Sequence, residues 1–453
     1  MPTDPGRPAY HFTAPAGWIN DPLGVTWHDG PEGGRYELFY QFNPEAPLWT
    51  PAIRWGQATS PDLVRWRDPR TALEPGPDET GCWSGSVVVD EGRPVIVYTS
   101  VLADAPGMGR IALAEGDAEW RRWTRDPAGP VLPAPEPGRG LAHVRDPFVW
   151  RDGDEWRMAV GAGSTDGRPS VLQYSSPDLR TWRADGVLAE PEPNLPGPGG
   201  TVWECPQLFR LDGAWALIVS VWDEVPGGVA CALGDYDGRR FAPRSWQWLA
   251  TDPFYATTAF ADSRGRRCAL SWVQEADAGD GVRAGALSVP WLLAREGDRV
   301  TVAPHPDVES LRTEVQAALG PASLAGAAVV VGPLAAHADV DLRADPAGGP
   351  LVLTLDEAGG RLLTLVADPD AAELRLTVPG RPDARTPLHP EADGGLSLRL
   401  LVDAGVVEVF GGGGVAAARL RPPGGELTLA VSAGAAGAEL HRLVIHGMAP
   451  ATG

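Results

Sequence analysis

Three acidic residues stand in contexts that suit chemistry. Asp21 lies in "WINDPLG", Asp146 in "HVRDPF" and Glu204 in "VWECPQLF". An Asp-Pro pair by itself signals a turn, because Pro fixes φ and Asp caps the bend. Any one of these acids, taken alone, is as much a turn cap as a functional group. Taken together they suggest more. Two carboxylates about 5 Å apart suit a retaining glycosidase, in which one attacks the anomeric carbon and the other protonates the leaving oxygen. A third acid, Asp146, beside Arg145 suits a clamp on sugar hydroxyls, which offer donors and acceptors in pairs. The rings of Trp18, Trp49 and Trp83 suit the apolar faces of a sugar. Such a set needs no cofactor, and no histidines fall at metal-ligand spacing, so no metal is expected.

Acids so far apart in sequence need a fold that brings them together. A Gly followed by an apolar strand recurs in "GGRYELFYQF", "EGRPVIVYTS", "DGDEWRMAVG", "DGAWALIVSV" and "RGRRCALSWV". The anchors Gly34, Gly92, Gly153, Gly213 and Gly265 are spaced by about 60 residues. A second element, "SPDLVRW" at 60–66, returns as "SPDLRTW" at 176–182. This pattern predicts a five-bladed β-propeller over residues 1–302, whose innermost strands converge on one axial pocket. All 18 Trp lie at or before Trp291, and beyond it Phe410 is the sole Phe, Tyr or Trp. Segments such as "PLVLTLDEAGGRLLTLV" and "LSLRLLVDAGVVEVF" alternate as half-buried strands do. They predict a β-sandwich over 320–453 with a structural role. Between them, 303–319 reads as a linker carrying a short helix, with Val308, Leu311 and Val315 on one face.

Composition narrows the partners. The net charge is −21 and every basic residue is Arg. Such a surface repels nucleic acid and anionic lipid but tolerates a neutral saccharide. The absence of Lys excludes Schiff-base chemistry. No stretch has the length of a transmembrane helix. The opening "MPTDPGRPAYHF" has no apolar signal core, so a cytoplasmic protein is expected. Cys82, Cys205, Cys231 and Cys268 form no CxxC pair and read as buried free thiols. Cys205 reads as packing, His11 and His143 as hydrogen-bonded structural residues, and "GGGG" at 411–414 as a sandwich turn.

The chain resembles glycoside hydrolase family 32, the invertases, inulinases and levanases. The resemblance runs in order through "HFTAPAGWINDPLG", "YELFYQFNP", "WGQATSPDLVRW", "GCWSGSVVVDEG", "RDP", "WECP", "DPFYATTAFADSRGRRCALSW" and "LVDAGVVEVFGGGG". It implies Asp21 as nucleophile, Glu204 as acid/base and Asp146 as the transition-state stabiliser, with Arg145 beside it. It further implies a fructose subsite drawn from Asn20, Gln41, Trp49, Trp83 and Ser84. Leu23, Gln57 and Gln207 depart from the family's usual Asn, His and Asp, and bear on substrate preference and pH optimum. The implied reaction is release of terminal fructosyl units from sucrose or short fructo-oligosaccharides. A fructosyltransferase or an exo-levanase or exo-inulinase would use the same scaffold. A silent fructan-binding protein would not need all three acids.

Overall fold

The computed structural model describes residues 7–30, 33–105, 107–135, 140–275, 281–324 and 328–451. Among these the regular structure is all strand apart from one 3-10 turn at Pro306–Leu311. Five antiparallel sheets follow one another. Their first strands are Gly17–His28, Gly81–Asp90, Leu141–Asp152, Val202–Leu211 and Phe254–Ala261. Within each sheet, strands lie side by side in chain order. The first strands pack against one another in sequence, and the fifth packs back on the first. A short strand, Arg283–Ala284, also pairs in parallel with Gly17 and Trp18. The connection between the second and third strands of the fifth sheet is thereby stitched to the start of the first sheet.

Burial explains the sequence pattern. Second strands such as Arg93–Val101 and Ala214–Asp223 are buried along almost their whole length. Both faces are covered by neighbouring sheets, so these strands read as continuous apolar runs rather than alternating ones. The outer strand Arg67–Leu73 is polar and mostly exposed. Four of the five anchor glycines, Gly92, Gly153, Gly213 and Gly265, turn the first strand into the second with positive φ. Asp212 and Gly213 both have φ above zero, the requirement of a tight hairpin that continues strand twist. The repeated "SPDL" is a second turn, in which Ser60 and Asp62, or Ser176 and Asp178, cap the following backbone N–H groups.

The remaining strands form two sheets that share one apolar core of Leu, Val and Ala. The predicted helical stretch resolves differently. The 3-10 turn ends at Leu311, and Arg312–Leu319 is a strand paired with Ala438–Met448. Val308 and Leu311 are buried, but Val315 is 54% exposed. Paired backbone hydrogen bonds outweigh a weak helical pattern of three apolar residues. Gly411–Gly414 closes a hairpin with Gly412 and Gly413 at positive φ, as a tight sandwich turn demands. The two parts meet at a buried ionic knot. His11 reaches Asp403 at 2.8 Å and Glu408 at 2.9 Å, and Glu408 also takes the Trp291 indole N–H at 3.0 Å. His11 is therefore structural, as expected, and holds the segment leading to Asp21 against the sandwich.

Candidate active site

Each first strand carries one extra residue at the same level. Asn20 and Asp21 face the single residue Gln41 across the ladder. Ser84 is the extra residue of the second sheet. Asp146 and Pro147 occupy the bulge of the third, and Cys205 and Pro206 that of the fourth. Ala256 and Thr257 form that of the fifth. A bulge re-aims side chains and locally ends pairing. Pro fits there because it has no N–H to leave unpaired. The Asp-Pro pairs are thus not turns: they are bulges inside strands. Asp146, Cys205 and Ala256 adopt φ of 64, 46 and 49°, left-handed values that cost a non-glycine residue about 1–3 kcal/mol. Such strain concentrates at working sites.

The bulges bring the acids together. Ser84 donates its hydroxyl to Asp21 Oδ2 in a short contact, and Asn20 Nδ2 donates to Oδ1 at 3.0 Å. Gln41 accepts from the same Asn20 amide at 3.2 Å and donates to the Cys82 carbonyl at 3.1 Å. The thiol of Cys205 lies 3.6 Å from Asp21 Oδ2 and 3.7 Å from Asp146 Oδ2. Its backbone N–H donates to Asp146 Oδ2 at 3.1 Å. Thr99 links two sheets: it donates to the Ser84 carbonyl at 2.9 Å and accepts from the Asp146 N–H at 2.8 Å. Gly161 has no room for a side chain, since a Cβ there would stand 2.4 Å from the Trp203 carbonyl beside Glu204.

The guanidinium of Arg145 lies on Glu204, Nε to Oε1 at 2.7 Å. Arg145 Nη1 is 3.1 Å from His143 Nδ1. Guanidinium is donor-only, so His143 accepts there and carries its proton on Nε2. The other Glu204 oxygen takes the Tyr255 hydroxyl in a short contact. Tyr255, His143, Thr99 and Cys205 are members of the site that the sequence reading did not select. Tyr255 was visible inside "DPFYATTAF", but nothing local marks it as a partner of Glu204. Trp49 is 50% exposed and meets Trp83 edge-on, with ring centres 5.9 Å apart. Trp83 itself is tied to the Pro51 carbonyl at 3.0 Å.

Burial dominates the electrostatics. It pushes Asp21 up to about 6, opposed by the Ser84 hydrogen bond and aided by the charge of Glu204. It pushes Asp146 up to about 7, with Glu204 and Asp21 adding and Arg145 opposing. The same burial holds the Cys205 thiol and Tyr255 phenol far above their ordinary values, so both stay protonated. Three polar atoms here are buried without a partner: Asn20 Oδ1 and the indole N–H groups of Trp18 and Trp272. Trp18 and Trp272 pack edge-on at 5.5 Å and join Cys205, Tyr255 and Trp222 in one cluster. One open acceptor and two open donors beside a set of acids suit a ligand rich in hydroxyls.

Leu23, Gln57 and Gln207 hold structural positions. Leu23 packs with Phe39 and Trp55. Gln57 is fully buried between Glu37 at 2.8 Å and the Trp120 carbonyl at 2.6 Å. Gln207 accepts from the Ala259 N–H at 3.4 Å. Away from these acids, Asp262, Cys268 and His305 lie within metal-ligand reach of one another. The Arg266 guanidinium fills that space, 2.6 Å from Asp262 and 2.9 Å from His305, and a cation would have to displace it.

Comparison with known proteins agrees with this geometry. Residues 11–302 match the glycosyl hydrolases family 32 N-terminal domain, and residues 368–446 match the family's C-terminal domain. The chain belongs to glycoside hydrolase family 32. It is 32% identical over 334 residues to the sucrose-6-phosphate hydrolase of Escherichia coli, spanning 68% of this chain and 66% of that enzyme. It is 30% identical over 433 residues to the raffinose invertase of Escherichia coli, spanning 89% of this chain and 86% of that one. Among solved structures, the family-32 chain is similar to the β-fructofuranosidase of Bombyx mori in complex with sucrose. There the TM-score is 0.84 and the identity 26%, over 99% of this chain and 95% of that one. Fructan 1-exohydrolase IIa of Cichorium intybus shares the fold at TM-score 0.84 and 23% identity, over 100% of this chain and 99% of that one. Family membership makes the protein a glycoside hydrolase.

Proposed function

We propose that this glycoside hydrolase releases terminal β-D-fructofuranosyl units, from sucrose or short fructo-oligosaccharides, through a covalent fructosyl-enzyme intermediate. The observation that carries this reading is the set of bulges that converge Asp21, Asp146 and Glu204 on one thiol and one guanidinium. Asp21, ionised, attacks the anomeric carbon. Glu204, held at both oxygens by Arg145 and Tyr255, gives a proton to the leaving oxygen and then takes one from water. Asp146 holds fructose hydroxyls and adds negative charge beside the oxocarbenium-like transition state. Asn20 Oδ1 and the Trp18 and Trp272 N–H groups take further hydroxyls. The aromatic pair Trp49 and Trp83 covers the apolar face.

In the same reading the five sheets are blades of one propeller, spanning 1–302, with their first strands around its axis. Residues 320–453 are the sandwich, and 303–319 joins the two. Support comes from the ring of packed first strands and from the stitch between Arg283–Ala284 and Gly17–Trp18. Incubation with sucrose and measurement of free fructose tests the activity. Acid quench followed by peptide mapping should find fructosyl on Asp21. A fructosyl ester on any other carboxylate, or none, would overturn the assignment of the nucleophile.

A further inference from the structure

Thr99 lies near the end of the buried strand Arg93–Val101 and is itself fully buried. A hydroxyl there must find partners, because burial without them is costly. It finds two, and both are backbone groups of bulges. The ladder of the second sheet passes from Trp83, opposite Thr99, to Gly85, opposite Tyr98, and skips Ser84. The ladder of the third sheet likewise skips Asp146. Buried backbone groups that a ladder skips need a partner from elsewhere. Thr99 Oγ1 donates to the Ser84 carbonyl at 2.9 Å and accepts from the Asp146 N–H at 2.8 Å. A hydroxyl has the one donor and the lone pairs to do both.

The residue matching Thr99, opposite the last one before the bulge, is Phe42 in the first sheet, Gly161 in the third, Ser220 in the fourth and Trp272 in the fifth. None of the four makes such a bridge. Phe42 and Gly161 have no polar side chain, and Ser220 Oγ and Trp272 Nε1 are buried without a partner. The methyl of Thr99 is seated too: a Cβ on Gly109 would stand 2.2 Å from Thr99 Cγ2, so Gly109 gives it room. Ser84 donates to Asp21, while Asp146 accepts from the Cys205 N–H. We infer that Thr99 is a positioning residue, whose single hydroxyl sets Ser84 against the nucleophile and Asp146 against the sugar as one unit. The inference rests on the roles proposed above for Asp21 and Asp146. The two sheets do not depend on Thr99 to stay together. Ser86 Oγ accepts the Val149 N–H at 3.0 Å, and the Gly109 N–H meets the Val144 carbonyl at 2.8 Å.

Two substitutions separate the hydroxyl from the packing. Thr99→Val keeps the shape and loses the hydroxyl; Thr99→Ser keeps the hydroxyl and loses the methyl. On sucrose, Thr99→Val should lower kcat about a hundredfold, the cost of a misplacement of about 1 Å, while Thr99→Ser should stay within about threefold of wild type. The acid limb of kcat/KM should move to higher pH in Thr99→Val, because Ser84 then holds Asp21 less firmly. It should move no further when Thr99→Val is added to Ser84→Ala, since the two act through one contact. Equal losses in the Val and Ser variants, a larger loss in Ser, an unmoved limb, or a limb shift that adds fully to that of Ser84→Ala would overturn the inference. Thr99→Ala against Thr99→Ser repeats the comparison should Thr99→Val not fold. A wild-type chain that releases no fructose would overturn the three-acid reading and this one together. An active wild type with a fully active Thr99→Val overturns this one alone.

Discussion

Replacing Asp21 by Asn separates what this carboxylate does for the reaction from what it costs the fold. Burial raises its pKa from 3.8 to about 6. At 1.36 kcal/mol per unit, a rise of about two units makes ionised Asp21 a burden of about 3 kcal/mol on the folded state. The sign follows from proton counting. Between pH 3.8 and about 6 the folded chain holds more protons at Asp21 than the unfolded chain, so stability falls as pH rises through that window. Below it the burden is absent; above it the burden is complete. Asn removes the charge and keeps the shape, and the Ser84 hydroxyl can donate to the new amide oxygen or accept from its nitrogen. Asp21→Asn should therefore be more stable than wild type by about 3 kcal/mol at pH 8, and by roughly half that at pH 5. For a chain of this size that is a rise in Tm of roughly 3 °C at pH 8. Activity on sucrose should fall by on the order of 10⁴-fold or more, a barrier increase of about 5 kcal/mol or more. Scanning calorimetry at the two pH values, with a fructose assay, measures both. A variant destabilised at pH 8, or stabilised equally at both pH values, would refute the electrostatic reasoning even if activity were lost.

Four further outcomes follow from the same geometry. Ser84→Ala removes the hydrogen bond that holds Asp21 down, so the acid limb of kcat/KM, to which Asp21 (about 6) and Asp146 (about 7) both contribute, should move to higher pH; an unmoved limb would detach Ser84 from Asp21. Tyr255→Phe should lower kcat about tenfold, since it removes the hydroxyl that holds Glu204, and a change confined to KM would argue against that role. His143→Ala should lower kcat severalfold while His143→Asn, which restores an acceptor for Arg145, recovers it; equal losses in both would show that the Arg145 contact is incidental. His11 is raised to about 9 between Asp403 and Glu408, so its stabilisation is complete below pH 6.5 and is lost as pH rises through about 9; urea midpoints that stay flat from pH 7 to 10 would contradict this.

Much of the site was legible before folding was considered, because its evidence is local. A bulge needs a strand, a residue that tolerates odd backbone angles and often a Pro. "NDP" and "RDP" carry those features in three adjacent residues, while "ECP" carries only the Pro. The glycine anchors were legible for the same reason, since a tight hairpin needs positive φ at a fixed place. The loss of Trp after Trp291 marked a change of core chemistry that needs no coordinates. The strand at Arg312–Leu319 was not legible, because its partner Ala438–Met448 lies more than a hundred residues on and local periodicity cannot report it.

Partnership is what only the tertiary structure decided. Arg145 stands next to Asp146 in sequence, yet Asp146 sits in a strand bulge held by Cys205, and the Arg145 guanidinium crosses to Glu204 on the next sheet. Tyr255 meets Glu204 across 51 residues, and Cys205 meets Asp21 across 184. Gln57, a departure from the family's usual His, is buried against Glu37 and the Trp120 carbonyl. The sequence by itself determined which residues have the right chemistry and the right backbone. Ring packing of the five sheets determined which of them touch, and thus the protonation each one holds, because burial and charge act through space rather than along the chain.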